Sequence, residues 1–155
     1  MLIKYTRFSD SQEHYLISMI LYFGTSKNDL SLIESFGLRN PRLTDSLEFA
    51  RGQASLAAAK AQSTPVLLAV KVYEEELQYD GPAMASPPVE LTRARDLEVE
   101  KIKELHPEWS SLEGAIEIPK LAWRHSLAAV KTCISRAHYG LNKIRVLGLL
   151  EDDNE

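Results

Sequence analysis

A short run of small and hydroxylated residues is the first place in this sequence where chemistry could occur. Gly24, Thr25 and Ser26 directly follow a nearly continuous apolar run over residues 15–23. Glycine lets another molecule approach the backbone closely, and the two hydroxyls add hydrogen-bonding groups that suit a ribose or a phosphate. The same three residues also form an ordinary turn and helix cap, and local sequence alone favours that structural role.

The other familiar catalytic patterns are weak or missing from the sequence. The four histidines lack the paired spacing of a metal site, and one cysteine cannot complete a thiolate site. Cys133 could form a nucleophile pair with His125 or His138, but its apolar neighbours favour a buried, inert thiol. Neither a Walker loop nor a Gly-x-Gly-x-x-Gly motif occurs. We therefore expect no metal at the site.

Composition restricts the class of protein further. The 155 residues suit one domain, which we expect over residues 1–150, followed by a frayed acidic tail at 151–155. One cysteine permits no internal disulfide, no secretory signal is visible, and the longest apolar run is too short to span a bilayer. We therefore expect a cytoplasmic protein without a membrane partner. The net charge of −4 does not indicate nucleic-acid binding.

Two strands and two helices in the front half must position the glycine and its hydroxylated neighbours. Residues 15–23 and 66–72 are apolar enough to predict buried central strands. Between them, apolar spacing predicts a helix over residues 28–36, capped by Ser26 and closed by the glycine that follows it. A second, alanine-rich helix is expected over residues 46–62, where its small side chains would allow close packing on a sheet.

The back half of the sequence is less clearly patterned. Residues 79–88 contain glycine and prolines and predict an exposed loop, and residues 93–105 predict a polar helix. Residues 115–118 alternate as a half-buried strand does. Residues 127–134 fit a helix or a strand, and their β-branched content favours the strand, with residues 144–150 pairing to it as a wide hairpin. Together these elements predict an α+β domain.

The order of the front-half elements resembles the ADP-ribosyltransferase-like fold, including its RNA phosphotransferase relatives. In that family a strand ends in aromatic-His-Gly-Thr/Ser, a helix ends in Gly-Leu, a Leu-Thr strand precedes an alanine-containing helix, and a Pro-Val strand crosses the sheet. The matching segments here are residues 22–26, 33–38, 43–54 and 65–77. The resemblance covers residues 15–80 and implies a split, mostly antiparallel sheet with helices packed around it, which clamps NAD across a cleft.

The resemblance also implies which residues hold NAD. The ribose-binding histidine of the family falls on Phe23, which cannot hydrogen-bond a ribose, although Tyr22 or Phe23 could stack on nicotinamide. The Gly24, Thr25 and Ser26 segment would hold the nucleotide. Arg51, on the second helix, could meet a phosphate, and a surface arginine is the other interpretation of it.

The catalytic glutamate of the family begins a later strand, where Glu113 and Glu117 are the candidates. Alternation places both on one face of the predicted strand. In this chemistry a carboxylate holds the ribose 2′-hydroxyl and stabilises the oxocarbenium-like charge as nicotinamide leaves. The position of Glu113 suits the family pattern better. Both glutamates could instead be solvent-facing residues of an edge strand.

Three functional hypotheses follow from the sequence. The first is an enzyme that uses NAD as a substrate and transfers ADP-ribose to a macromolecular acceptor, expected to be a protein, as small bacterial or phage effectors of this type do. Replacement of the histidine by Phe23 favours a second, a catalytically inactive member of the fold that acts as a protein-binding module or inhibitor. The third is an unrelated α+β domain whose front half matches by chance.

Overall fold

The computed structural model describes residues 2–8, 14–107 and 122–149. Within these ranges the strands are β1 (Leu2–Phe8), β2 (His14–Ser26), β3 (Leu38–Arg39), β4 (Arg42–Leu43), β5 (Pro65–Tyr73), β6 (Leu77–Gln78), β7 (Cys133–Ser135), β8 (His138–Tyr139) and β9 (Ile144–Leu149). The helices are α1 (Lys27–Phe36), α2 (Leu47–Ala61), α3 (Gly81–Ala85), α4 (Thr92–Leu105) and α5 (Trp123–Val130). The fold is α+β with antiparallel sheets, as the sequence predicts.

The main sheet has the strand order β1-β2-β5-β9, so the two predicted central strands, β2 and β5, are interior. β1 pairs with β2 only as far as Met19. Further along β2, Tyr22 pairs with Thr44 instead, donating from its amide at 2.7 Å and accepting at 3.0 Å. Since Thr44 directly follows β4, this bridge joins the main sheet to a second sheet of order β4-β7-β6.

Helix α2 lies against the end of β2 at an unusually short separation. It begins after the predicted Ser46, whose Oγ accepts from the Phe49 amide, and it buries a stripe of alanines against the sheet. A Cβ atom on Gly24 would stand 2.1 Å from the carbonyl oxygen of Ala50 and 2.4 Å from the amide nitrogen of Ala54. Only glycine at position 24 therefore permits this contact.

Alternate residues of β5 line one face of the main sheet, and the main apolar core lies on that face. Val66, Leu68 and Val70 are fully buried there and pack in one cluster with Leu21 of β2 and Leu127 of α5. Alternation along a strand places every second side chain on one face, which is why this set forms a continuous apolar surface. Each fully buried aliphatic side chain contributes about 1.5–3 kcal/mol relative to an exposed one.

Three predictions for the back half need correction. Residues 127–130 complete helix α5 instead of starting a strand, because Leu127 and Val130 are buried at helical spacing and Lys131, at φ 71°, ends the helix. The strand begins only at Cys133 and pairs with β4 and β6, and β9 pairs with β5, so the predicted hairpin does not form. The third correction concerns residues 79–88.

Residues 79–88 do not form the exposed loop that glycine and proline content predicted. They contain α3, and both Asp80 and Met84 are buried. The dipeptide Gly81-Pro82 occupies the first turn of this helix, where proline is favoured because its missing N–H has no helical partner. The strand predicted over residues 115–118 and the tail at 151–155 lie outside the described residues.

The close contact of α2 with β2 predicts opposite effects for two glycine substitutions. Gly24→Ala should lower the free energy of unfolding by about 2–3 kcal/mol, because its Cβ would overlap backbone atoms that cannot move independently. Gly52→Ala is the matched control in α2, since nothing lies within 4 Å of its Cβ position. It should raise the free energy of unfolding by roughly 0.5–1 kcal/mol through helix propensity. Urea denaturation measures both, and a Gly24→Ala variant as stable as wild type would contradict the packing.

Candidate functional site

Three adjoining cavities lie along the outer side of α2, and Gln53 lines all of them. The Phe23 cavity, of about 730 Å³, lies between the start of α1 and the second half of α2. The Thr132 cavity, of about 440 Å³, is bounded by Phe49 and the prolines around α3. The Leu91 cavity, of about 690 Å³, lies between α2 and the turn before α4. We call these three cavities together the α2 groove.

A paired arginine stands where two of these cavities meet. Arg42, on β4, lines both the Phe23 cavity and the Thr132 cavity. Its Nε donates to Asp80 Oδ2 at 2.7 Å and its Nη2 donates to Asp80 Oδ1 at 3.1 Å. The Asp80 side chain is completely buried, whereas that of Arg42 is 46% exposed. This bidentate, charge-assisted pair fixes the plane of the guanidinium at the floor of the groove.

Two further hydrogen bonds hold the buried carboxylate in place, and a third holds the Asp80 backbone. The Thr132 hydroxyl donates to Asp80 Oδ2 at 2.5 Å, and the amide of Ala83 donates to Oδ1 at 3.1 Å. The Asp80 amide donates to the Ser126 hydroxyl at 3.1 Å. Because a buried carboxylate is stable only when it is paired and hydrogen-bonded, this set of partners explains how Asp80 is accommodated in the interior.

The glycine and hydroxyl residues predicted to hold a nucleotide are already engaged by the protein. The Gly24 amide donates to Gln53 Oε1 across 3.4 Å, at the long end of a hydrogen bond. Thr25 is buried. Ser26 is fully buried and caps α1, with its Oγ accepting from the Asp29 amide at 3.1 Å. None of these three residues lines the α2 groove, whereas Gln53, the hydrogen-bond partner of Gly24, does.

The remaining predicted site residues are dispersed. Phe23 lines the cavity named after it and also packs against the core. Tyr22 is half-buried and joins the two sheets through its backbone. Arg51 is exposed on α2 and does not line any of the three cavities of the α2 groove. Glu113 and Glu117 lie outside the described residues.

Sequence reasoning missed Arg42 and Gln53, which line the α2 groove, and Asp80, which holds Arg42 in place. A signal for Asp80 existed, because Asp followed by Gly-Pro is a typical start of a helix, with the carboxylate as cap and proline in the first turn. Arg42 precedes Leu43-Thr44, a segment that the sequence had marked as a short strand, so alternation places it on the same face as Thr44. Gln53 carries no local signal, since its role depends on how α2 lies against β2.

Two other polar clusters in the described part of the chain are largely buried. Glu98 on α4 is buried and accepts a hydrogen bond from His125 Nδ1 on α5 at 2.5 Å, which ties the two helices together. The Tyr139 hydroxyl contacts Ser135 Oγ at 2.6 Å, and burial raises the pKa of this tyrosine. Among the residues that the structure describes, no group of three or more His, Cys, Asp or Glu side chains could hold a metal ion.

Comparisons with known proteins identify no relative of this chain. No protein-family model matches it, and neither a curated protein nor a solved structure does. Within the described ranges, no helix has both the length and the apolar character needed to cross a membrane. Function must therefore be inferred from the chain's own residues and from the α2 groove.

The Arg42–Asp80 pair predicts strong energetic coupling. Arg42→Gln alone should lower the free energy of unfolding by about 2–3 kcal/mol, because it leaves a buried carboxylate without its cation. Adding Asp80→Asn removes that charge, so the double variant should lose less than the sum, with a coupling energy of about 1–3 kcal/mol. The same cycle on the pair of Arg95 and Asp96, whose carboxylate is 63% exposed, should give less than about 1 kcal/mol. Additive losses at Arg42 and Asp80 would contradict the proposed pairing.

The buried thiol predicts slow labelling and a loss of stability at high pH. Burial, followed by the negative charges of Asp80 and Asp45, raises the pKa of Cys133 to about 12. A thiol with a higher pKa in the native state stabilises the fold below its unfolded pKa of about 8.5, and this contribution is lost as pH rises from there towards the native pKa. Native protein at pH 8 should resist thiol reagents that label it readily in urea. Rapid labelling under native conditions would contradict this burial.

Proposed function

We propose that this chain is an ADP-ribosyltransferase-like protein that binds NAD in the α2 groove and transfers ADP-ribose to a protein acceptor. The observation that carries the proposal is the position of the groove. It opens at Phe23, where the family resemblance places the bound nucleotide, and it extends over two further cavities. The division of the pairing edge of β2 between β1 and the Thr44 segment supports the split sheet of that fold.

The chemistry of the groove lining supports a nucleotide ligand. Phe23 and Phe49 provide aromatic faces in neighbouring cavities, and such faces stack on planar heterocycles. Lys60 and the guanidinium of Arg42, which is paired with the buried Asp80, line the Phe23 cavity together with one carboxylate from Asp29. Aromatic walls together with a fixed cation suit a ligand that combines flat rings with anionic groups.

The proposed reaction assigns one role to a carboxylate. Glu113, or Glu117, would hold the ribose 2′-hydroxyl and stabilise the positive charge that develops on the ribose. The bond between ribose C1′ and the nicotinamide nitrogen breaks, and its electron pair stays with nicotinamide. A nucleophilic side chain of the acceptor then forms the new bond to C1′ and loses its proton to solvent.

A second candidate function, protein binding without catalysis, is favoured by a different observation. The segment expected to contact NAD is satisfied internally, because Gln53 accepts from the Gly24 amide and Ser26 caps α1. In addition, α1 exposes Leu32 and Phe36, which are 58% and 72% accessible and lie four residues apart on one helix face. In this alternative, that apolar pair would contact a protein partner and the groove would remain empty.

Thermal unfolding with and without excess NAD separates the two functions. NAD at about 100 times its dissociation constant stabilises the native state by about 2.7 kcal/mol, and each kcal/mol raises the midpoint by about 2–4 °C in a domain of this size. A rise that NAD causes and nicotinamide alone does not would support the transferase. An unchanged midpoint at millimolar NAD would reject it and favour the protein-binding module.

The carboxylate assignment predicts a specific loss of turnover. Glu113→Gln should slow the release of nicotinamide from NAD by about 100-fold or more, because the neutral amide no longer stabilises the oxocarbenium charge, while NAD binding changes little. Glu117→Gln is the competing variant, and Glu104→Gln, exposed on α4, is the surface control. Full nicotinamide release by both Glu113→Gln and Glu117→Gln would show that neither glutamate is catalytic.

A further inference from the structure

Arg42 lies at the boundary between the Phe23 cavity and the Thr132 cavity of the α2 groove. The Thr132 cavity has one charged lining residue, Arg42, and its other walls are apolar, hydroxylic or amide groups. The Phe23 cavity adds Lys60 at its far end and Asp29 near α1. The junction therefore presents a guanidinium whose charge the buried Asp80 balances, with a largely uncharged compartment on one side of it.

The guanidinium at this junction retains binding capacity after it pairs with Asp80. A guanidinium carries five N–H groups, and the bonds to Asp80 use one on Nε and one on Nη2. Asp80 is in turn held by Thr132 and the Ala83 amide, so the fork cannot rotate away without breaking that network. A guanidinium preorganised in this way binds pairs of phosphoryl oxygens with little loss of side-chain entropy.

We propose that Arg42 binds the central diphosphate of a dinucleotide that lies along the α2 groove. One nucleoside half would occupy the Phe23 cavity beside Phe23, and the other would occupy the Thr132 cavity beside Phe49. A dinucleotide carries its charge in the middle and a flat ring at each end, which matches a cation placed between two cavities that each have an aromatic wall. The assignment deepens the proposed function and rests on it for the identity of the dinucleotide.

Arg42 fits this role better than Arg51, the arginine that the sequence suggested. Arg51 is exposed and lies outside the lining of the groove, so its side chain has no fixed geometry towards a ligand there. Arg42 is both held by a buried partner and open to the two cavities. Its role is to bind and orient the ligand, and it takes no part in breaking the bond to nicotinamide.

Calorimetric titration of NAD and of inorganic pyrophosphate into the whole chain tests the proposal. The informative variant is Arg42→Gln combined with Asp80→Asn, because it removes the cation without leaving a buried carboxylate unpaired. We expect this variant to bind both ligands about 10- to 100-fold more weakly than wild type, which is the effect of losing hydrogen bonds to a charged group. Arg93→Gln, exposed on α4, should bind both ligands as wild type does.

A second variant decides the question if the double variant does not fold. Arg42→Lys keeps a positive charge for Asp80 but loses the fork, because an ammonium group cannot pair with a carboxylate and also hold two phosphoryl oxygens side by side. We expect it to bind pyrophosphate and NAD at least about tenfold more weakly. Wild-type affinity for both ligands in a folded Arg42 variant would overturn the assignment.

The two ligands distinguish failure of this inference from failure of the proposed function. If wild type binds NAD and the folded Arg42 variants bind it equally well, the diphosphate assignment is wrong and the NAD proposal stands. If wild type binds pyrophosphate through Arg42 but not NAD, the anion site stands and the dinucleotide is wrong. If wild type binds neither ligand, both proposals are rejected.

Discussion

The buried carboxylate of Asp80 is the interaction on which the structure around the α2 groove depends. It receives hydrogen bonds from Arg42 of β4, from Thr132 just before β7 and from the first turn of α3, while its own amide donates to Ser126 of α5. Segments that are far apart in the sequence therefore contact the same residue, Asp80. Removing that charge from water is expensive, so each partner is held to the geometry that compensates it. The position of the Arg42 guanidinium follows from this requirement.

A second constraint positions α2, which forms the side of the α2 groove opposite Arg42. The missing side chain of Gly24 lets α2 lie directly on the end of β2, and this brings Gln53 within reach of the Gly24 amide. The α2 groove is thus bounded by one helix held close by a glycine and by one arginine held by a buried acid. Both constraints act on rigid secondary structure, so the groove is largely formed before any ligand arrives. Preformed concave sites of this kind are typical of small-molecule binding.

The sequence predicts those elements whose formation depends on neighbouring residues, and it fails where formation depends on distant contacts. β2, α1, α2 and β5 were predicted because their apolar spacing and their Ser26 and Ser46 caps are local signals. Residues 127–134 were assigned wrongly because β-branched content favours a strand, whereas burial against α4 and the sheet selects a helix up to Val130. The pairing of Arg42 with Asp80 spans 38 residues and has no local signal on the Arg42 side. The Ser26 cap was recognised from the sequence, but the burial of Thr25 and Ser26 arises only from packing.

A direct test of dinucleotide binding in the α2 groove is a titration of isotope-labelled protein with NAD, followed by nuclear magnetic resonance. Three N–H signals report on the groove independently of activity: the Gly24 amide, the Gln53 side-chain amide and the Arg42 Nε–H. The account predicts that all three signals shift together and saturate at one NAD concentration, while signals of the surface of α4 stay in place. NAD that leaves these three signals unchanged, or that shifts only signals elsewhere in the protein, would contradict the account.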